Sequence, residues 1–412
     1  MVDIYVAGVG MTKFSRHIDR SYKDITREAV ELTLKDAGAE KEDIQQAFFA
    51  SCVVGYMQGQ NMVPGQISLR GMGFEGIPIF NTESACASAS SGFYLAAQAI
   101  TAGACDIILA VGTEKMYSED KSKMFSAFDS AWDVESVEQN KKTLLKMGEG
   151  IVPPEGSQSK SPYSIFMDVY AAFSRLHMKT FGTTQRQIAA VSAKNHNHSV
   201  HNPLAQYRKP YTVDEIMAAP PITYPLTLPM CAPISDGSAA AVLCNAEGLK
   251  RLRGDASRAV RLLSSVVRSG SDRDADDYKN HLTALAGKDA YEKAGIGPED
   301  VDVAEVHDAT AMGEIIQVEN LQLVPFGEGG PAAERGDLSV GGKIPVNPSG
   351  GLESKGHPIG ATGLGQIHEL VTQLRGEAGK RQVEGARMAV QENGGGIVGN
   401  EEATAVINIF AK

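Results

Sequence analysis

One cysteine stands where an extended run gives way to a helical pattern, in the stretch NTESACASASSGFYLAAQAITAG. The neighbours of Cys86 are the small residues Ala85, Ala87, Ser88 and Ala89, so a substrate has room to reach its sulfur. At the start of a helix, free N–H groups and the helix dipole stabilise a thiolate and lower its pKa. The pattern therefore predicts a nucleophile, with an inert core cysteine as the alternative interpretation.

Two histidines are candidate partners for this thiol. His357 lies in GHPIGATG, whose proline suits a first helical turn, and His307 follows the strand-like run VDVAEV. Aligning SSGFYLAAQAI with ATGLGQIHELV places Cys86 opposite His357, since 363−92 and 357−86 are both 271. Each half of the chain would then offer one reactive side chain at the start of an equivalent helix. The alternatives are a capping or core histidine at 357 and a turn-bound structural histidine at 307.

Strand-type and helix-type runs alternate along the chain, which is typical of a layered α/β fold. IYVAGVG and DIILAVGTEKM have strand character, and ITREAVELTLKDAG has apolar residues at helical spacing before Gly38. The pattern repeats in LKDAGAEKEDIQQAFFASC and YEKAGIGPEDVDVAEVHDA, where Ala37 precedes Ala294 by 257 positions and Asp43 precedes Asp300 by the same number. Two such halves are expected to pack about a pseudo-twofold axis, with an active site where they meet.

The repeat also predicts the domain organisation. We expect an N-terminal half over 1–116 and 226–250, a loop or lid region over 117–225, and a C-terminal half over 251–412. Charges, glycines and prolines dominate the first part of the middle region, which indicates an excursion out of the core.

The composition argues against several classes of function. A net charge of −11 over 412 residues disfavours a nucleic acid or an anionic membrane as the main partner. The five cysteines are widely spaced with no C-x-x-C pair, which favours a reducing compartment over a disulfide framework or a zinc site. No apolar run approaches ~20 residues, and the N-terminus lacks a signal-peptide pattern. The sequence therefore predicts a cytoplasmic protein.

Taken together, these motifs resemble those of the thiolase superfamily, most of all the sterol-carrier-protein-type thiolases and their bacterial and archaeal acetyl-CoA acetyltransferase relatives. SACAS resembles the nucleophile motif, VHDA the His-Asp motif, and NPSGGLESKGHPIGATG the Gly-His-Pro motif. The resemblance implies two layered α/β halves, a homodimer or dimer of dimers, and acyl transfer through an acyl-thioester on Cys86. It implies a coenzyme A thioester as substrate and no tightly bound cofactor.

The resemblance also implies roles for particular residues. His357 would activate the sulfur of Cys86 and help hold the thioester oxygen, and His307 would belong to the same oxyanion hole. The backbone N–H groups of Cys86 and of Gly395, in QENGGGIVG, would form a second oxyanion hole. One such donor is typically worth ~10²–10³ in rate. Archaeal-type relatives also work beside a small zinc-ribbon/OB-fold protein that helps hold the acyl-CoA, so a partner of that kind is a further expectation.

The sequence departs from the family pattern at the second cysteine, the acid/base that takes a proton from the α-carbon of acetyl-CoA. Asn393 occupies its place in the Cys-x-Gly motif, and Ala309 occupies its place after His-Asp. The Asn393 side chain can donate or accept hydrogen bonds, but it cannot act as a base near neutral pH. Three hypotheses follow. His357 serves as base once Cys86 is acylated, the set works like the Cys-His-His triad of decarboxylating ketosynthases, or the chain is a non-catalytic thiolase-fold subunit.

Two further signals are weaker. His196, His198 and His201 stand close together in NHNHSVHNP, but their spacing fits one helix face poorly and no acidic residue adjoins them. No metal site is therefore expected. Cys231 in PMCAPISDG is a candidate stand-in acid/base, with an ordinary buried cysteine as the alternative.

Overall fold

The computed structural model describes residues 2–412, which form a mixed α/β structure. The strands are β1 (Ile4–Met11), β2 (Gln46–Ala50), β3 (Ile79–Thr82), β4 (Ile107–Glu114), β5 (Pro221–Thr223), β6 (Leu226–Thr227), β7 (Gly237–Asn245), β8 (Val260–Ser269), β9 (Val303–Glu305), β10 (Met388–Val398) and β11 (Glu401–Ala411). The helices are α1 (Tyr22–Ala37), α2 (Val54–Gln58), α3 (Pro64–Arg70), α4 (Ser88–Thr101), α5 (Lys121–Phe128), α6 (Val137–Lys146), α7 (Ile165–Phe181), α8 (Gln185–Ser199), α9 (Val213–Met217), α10 (Ala246–Arg251), α11 (Leu282–Ala294), α12 (Ala311–Asn320), α13 (Gly329–Arg335), α14 (Gly351–Lys355) and α15 (Thr362–Leu374). Among residues 2–412, no helix has both the length and the apolar character that crossing a membrane requires.

The two halves of the chain contribute to one sheet, in the order β3-β2-β4-β7-β1-β8-β11-β10-β9. In the first half, β7 is antiparallel to β1 and β4, and β2 is parallel to β4. In the second half, β11 is antiparallel to β8 and β10, and β9 is parallel to β10. The same arrangement therefore runs outward from the central β1–β8 pair. The predicted fold of two similar α/β halves is confirmed.

The repeated Ala-Gly and Glu-Asp steps mark equivalent corners of the two halves. α1 and α11 each end at a glycine in the left-handed region, Gly38 with φ 61° and Gly295 with φ 71°. Glycine is favoured there because it has no Cβ to clash. Asp43 and Asp300 each accept the N–H three residues earlier at 2.8 Å, which closes the short turn into β2 or β9. The internal repeat thus encodes the same helix end and the same turn twice.

The equivalent helices α4 and α15 lie side by side in the core. Gly363 of α15 approaches Ser90 of α4 so closely that a side-chain carbon at 363 would overlap the Ser90 hydroxyl. Phe93 of α4, Ile367 of α15 and Phe410 of β11 are buried in the same apolar cluster. This close contact brings the starts of the two helices, and the residues just before them, to one place.

The region over 117–225, predicted as loop or lid, contains the helices α5–α9. α8 packs against α12, α13 and α14, and its Ile188 and Val191 are buried in the core of the second half. In the charged first part, Asp120 caps α5 by accepting two N–H groups of its first turn. The short helices α5 and α6 of this part were not predicted, because glycine, proline and charged residues are frequent in their sequence. The domain boundaries themselves stay a prediction.

Candidate active site

Cys86 lies in a tight turn between β3, which ends at Thr82, and α4, which begins at Ser88. Ala85 just before it has φ 47°, a left-handed conformation that is costly for a residue with a side chain. Two polar side chains hold the turn. Glu83 Oε1 accepts the Ala85 N–H at 2.6 Å, and Ser88 Oγ donates to the Ala85 carbonyl at 2.6 Å. The turn therefore fixes where the Cys86 side chain starts.

The three predicted side chains meet at the contact between α4 and α15. One donor atom each from Cys86, His307 and His357 lies within 4.8 Å of the other two. The two imidazole rings have centroids 5.1 Å apart and cross at 68°. Cys86 is half-buried and both histidines are buried. The structure thus brings together residues that are 50 to 271 positions apart in the sequence (357−307 and 357−86).

His357 is held in one tautomer by the loop that precedes α15. Its backbone N–H donates to Ser235 Oγ at 3.0 Å, and its Nδ1 lies 2.7 Å from Thr362 Oγ1. The single hydroxyl hydrogen of Thr362 is donated to the Pro358 carbonyl at 3.1 Å, so we assign the hydrogen of the shorter contact to His357 Nδ1. The lone pair of His357 is then on Nε2, the nitrogen that a base would use.

His307 follows β9 and is anchored through its backbone and its neighbour. Its N–H donates to Glu392 Oε2 at 2.8 Å, and Nε2 of its ring is buried with no hydrogen-bond partner among the described residues. Asp308 is fully buried and accepts the Leu352 N–H at 2.7 Å and the Asn195 amide at 3.1 Å. Asp308 thereby fixes His307 against the segment that leads to His357.

Burial keeps all three reactive groups neutral at rest. It lowers the pKa of His307 to about 4 and that of His357 well below its usual value. It raises the pKa of Cys86 to about 12, with Glu114 and other nearby carboxylates acting in the same direction. A neutral thiol beside neutral imidazoles transfers its proton during attack rather than before it.

The structure contradicts the expected fall in the pKa of Cys86. α4 begins two residues beyond Cys86, and the N–H groups of Ala87 and Ser88 are bonded to the Ser84 and Ala85 carbonyls. The two N–H groups that follow Cys86 are therefore used within the turn. Because the dipole effect falls off within the first turn, burial and the carboxylates outweigh it.

Two family models match the chain. The thiolase N-terminal domain covers residues 4–223, and the thiolase C-terminal domain-like family covers residues 264–408. The chain belongs to the thiolase family. As a member of that family it is an acyltransferase.

Relatives resemble this thiolase over most of its length. The acetyl-CoA acetyltransferase of Methanothermobacter thermautotrophicus is 36% identical, with 100% of both chains covered. Sterol carrier protein 2 of Rattus norvegicus is 36% identical, covering 95% of this chain and 69% of that protein. The benzoylsuccinyl-CoA thiolase subunit BbsB of Thauera aromatica is 33% identical, covering 92% and 91%. A solved structure, the Ltp2-ChsH2(DUF35) aldolase, shares the fold with a TM-score of 0.76 at 22% identity, over 98% of this chain and 97% of that chain.

The remaining predicted positions of this thiolase are Gly395, Asn393 and Ala309. Gly395 packs so closely on the turn that a side-chain carbon there would overlap the Ser84 carbonyl. Asn393 is buried, accepts the Ser90 hydroxyl at 2.8 Å and donates to the Gly394 carbonyl at 3.3 Å. Ala309 has no titratable group, and its carbonyl accepts the N–H of residue 232 at 3.0 Å. Neither position offers a base.

The weaker candidates stand outside the reactive set. The Cys231 thiol donates to the Thr227 carbonyl at 3.6 Å, and burial raises the pKa of this thiol above its usual value. His196 Nε2 lies 3.1 Å from the Pro229 carbonyl, whereas His198 Nδ1 lies 3.0 Å from the Asn347 carbonyl. These two histidines bond to different backbone segments.

One residue that sequence reasoning missed is Glu114, at the end of β4. Its carboxylate is fully buried and accepts N–H groups from Cys52 at 2.9 Å, Val53 at 3.1 Å and Gly360 at 3.0 Å. It thus joins the loop after β2 to the loop that carries His357. Burial raises its pKa to about 7. The signal available in the sequence was an acidic residue at the end of a continuous apolar strand.

Alkylation kinetics test the neutral thiol. We expect the iodoacetamide labelling rate of Cys86 to rise about tenfold per pH unit across the neutral and mildly alkaline range, because the thiolate fraction grows by that factor below the thiol pKa. Peptide mass spectrometry measures the rate, with the buried Cys105 and Cys244 as internal comparisons. Cys86 should still react first because it is the more accessible thiol. A rate that levels off near neutral pH would indicate a stabilised thiolate and contradict the neutral resting state.

Proposed function

We propose that this thiolase is an acetyl-CoA C-acetyltransferase or 3-ketoacyl-CoA thiolase that carries the acyl group as a thioester on Cys86. The observation that carries the proposal is the convergence of one thiol and two imidazoles within 4.8 Å. A thiol beside a base is a nucleophile towards a thioester carbonyl. The names of two relatives, an acetyl-CoA acetyltransferase and a benzoylsuccinyl-CoA thiolase, support a coenzyme A thioester as substrate.

In the first half-reaction, Cys86 Sγ attacks the thioester carbonyl while His357 Nε2 accepts the thiol proton. The new S–C bond gives a tetrahedral oxyanion, which collapses as the bond to the CoA sulfur breaks, and His357 returns the proton to the leaving thiolate. The tautomer set by Thr362 supports this role because it leaves Nε2 unprotonated. The backbone N–H groups of Cys86 and Gly395 would stabilise the oxyanion, a role that the close packing of Gly395 on the turn supports.

In the condensing half-reaction, a second acetyl-CoA must lose an α-proton to a base. His357 is again neutral after acylation, which supports its use as that base. The low pKa of His307 leaves its ring neutral, so it would hold the enolate oxygen by hydrogen bonding from an N–H. The enolate carbon then attacks the acyl carbonyl, and the Cys86 sulfur leaves and recovers its proton from His357.

A decarboxylating condensation is the second candidate. The positions of the lost family cysteine offer no base, since the Asn393 amide is committed to Ser90 and Gly394 and Ala309 has no titratable group. Loss of carbon dioxide from a malonyl-type donor generates the enolate without removing an α-proton. The same Cys86, His307 and His357 would then suffice.

Covalent labelling tests the proposed function. After incubation with acetyl-CoA, peptide mass spectrometry should find one acetyl group on the Cys86 peptide, and added coenzyme A should remove it. The Cys105→Ala variant, which changes a thiol outside the reactive set, should acetylate like the wild type. Failure of acetyl-CoA and every other short acyl-CoA to acylate Cys86 would favour the non-catalytic subunit.

Restoring a second thiol tests which group is the base. The Ala309→Cys variant is expected to raise acetoacetyl-CoA formation from acetyl-CoA, since a general base typically contributes ~10²–10⁴ in rate. Ala309→Ser is the matched control, because it has nearly the same size without a comparable acid/base group. A gain with cysteine alone supports thiolase chemistry that is limited by its base. No gain, together with reaction only from malonyl-type donors, would support the decarboxylating alternative.

A homodimer or dimer of dimers is the proposed assembly. The edge strand β3 and the segment before it expose apolar side chains: Phe80 is 50% exposed, Met62 77% and Ile67 38%. Obligate interfaces commonly bury more than ~2,000 Å², which such a surface would help to supply.

Sedimentation velocity tests this assembly. The wild type should sediment as a dimer or tetramer, and Phe80→Arg should dissociate it because a charge would be desolvated within the interface. Leu228→Arg, at a residue 55% exposed elsewhere, is the matched control and should leave the assembly intact. A wild type that sediments as an active monomer would exclude the dimer.

We also propose that this thiolase binds a partner protein and is located in the cytoplasm. The name of the solved structural neighbour pairs Ltp2 with a DUF35 protein, which supports the expectation of a small acyl-CoA-binding partner. The cysteines at 52, 86, 105, 231 and 244 are all free thiols, which supports a reducing compartment.

A further inference from the structure

The reactive set has the donor composition of a zinc site. Cys86, His307 and His357 offer one sulfur and two nitrogens that lie within 4.8 Å of one another. In tetrahedral zinc coordination, neighbouring S and N donors are about 3.3–3.6 Å apart, given the usual Zn–S and Zn–N bond lengths. Small rotations of the side chains would therefore bring the donors into coordination. Among residues 2–412, these three residues form the group of histidine, cysteine or acidic side chains whose possible ligand atoms lie close enough together to bind one metal ion.

The hydrogen bonding of the two histidines suits a divalent cation. An imidazole nitrogen whose lone pair is free is a metal ligand. The hydrogen bond from His357 Nδ1 to Thr362 directs the lone pair of Nε2 away from that bond, as the outer partners of metal-bound histidines commonly do. His307 Nε2 is buried without a hydrogen-bond partner in the described part of the chain.

The local charge also favours a cation. The carboxylate of Glu83 accepts the N–H of Ala85, the residue before Cys86, at 2.6 Å, so an acidic side chain lies beside the site. A divalent cation is attracted by such a group, and it stabilises the thiolate that binds it.

We propose that Cys86, His307 and His357 bind one Zn²⁺ ion that reversibly inhibits this thiolase by occupying its nucleophile. Zn²⁺ forms a bond to Sγ as the S–H bond breaks, and the proton passes to the buffer. The two imidazoles donate lone pairs, and water fills the fourth position. The inhibitory consequence rests on the proposed function, whereas the binding does not. The ion is an inhibitor that competes with the acyl group for one sulfur, not a catalytic cofactor.

Cobalt and zinc binding to the purified chain test the proposal directly. In buffer free of chelator, Co²⁺ should give a thiolate-to-metal charge-transfer band and tetrahedral d–d absorption at one ion per chain, and Zn²⁺ should displace it. Cys86→Ala should abolish the charge-transfer band. Thr362→Val should weaken Zn²⁺ binding about 10–100-fold, the usual effect of removing an outer partner of a metal ligand. Cys105→Ala is the matched thiol control and should bind like the wild type.

A chemical block keeps the test independent of how the variants fold. Wild-type protein alkylated on Cys86 by iodoacetamide should lose the charge-transfer band, and Zn²⁺ should protect Cys86 from alkylation until a chelator is added. Equal Zn²⁺ affinity in wild type, alkylated protein and Cys86→Ala would overturn the proposal and leave the acylation experiment unaffected. Metal binding without an acetyl adduct would uphold the site and count against the proposed acyl-thioester on Cys86 instead.

Discussion

Replacing Cys86 with alanine is expected to abolish acyl transfer, with a loss in kcat of the order of 10⁶, as removal of a catalytic nucleophile has cost in other enzymes. The proposed thioester that links the two half-reactions cannot form without the sulfur. The small turn should tolerate the change, because alanine adds no atoms where Gly395 packs against residues 84 and 87. Exchange of labelled coenzyme A into acetyl-CoA measures the first half-reaction by itself.

Cys52→Ala and Cys105→Ala serve as controls for this loss. Cys52 packs on the same apolar cluster as Cys86, and its thiol donates to Glu83 at 3.3 Å. Cys105 is buried beyond the end of α4. Exchange that survives in Cys86→Ala but fails in Cys52→Ala would show that Cys52, not Cys86, is the nucleophile.

Replacing His357 with alanine is expected to slow both half-reactions by about 10²–10⁴, the usual contribution of a general base. If His357 is the base, the neutral thiol depends on it, because a thiol pKa of about 12 leaves very little thiolate near neutral pH. If His357 also takes the α-proton of the second substrate, condensation should fall further than acylation. Single-turnover acetylation and steady-state acetoacetyl-CoA formation measure the two steps separately.

Two variants separate the roles around His357. His307→Ala should mainly impair condensation, since its proposed part is to hold the enolate oxygen. Thr362→Val should slow acylation less than His357→Ala, because it removes the partner of Nδ1 without removing Nε2. A His357→Ala enzyme that acetylates at the wild-type rate would exclude this residue as the activating base.

The internal repeat made much of the fold predictable. It places a glycine cap and an aspartate turn at equivalent corners, and the sheet has the same strand arrangement in both halves. The region over 117–225 was less accessible to sequence reasoning. Its helices α7 and α8 pack on the core of the second half, and that contact is not visible in local composition.

The sequence by itself determined which side chains are candidates for the chemistry. The repeat aligned Cys86 with His357, the strand-end position singled out His307, and the family resemblance predicted Asn393 and Ala309 as the positions of the lost cysteine. These conclusions depend on residue type and on spacing along one segment, which a sequence records directly.

Only the tertiary structure decided how the candidate groups are protonated. The helix start predicted a stabilised thiolate, yet burial and the carboxylates around Cys86 favour a neutral thiol. The tautomer of His357 depends on the direction of the Thr362 hydroxyl. Glu114 accepts the N–H of Gly360, which lies 246 positions further along the chain. Desolvation and hydrogen bonding act between atoms that are close in space, whatever their separation along the chain. The pKa values of this site therefore follow from packing that no single motif contains.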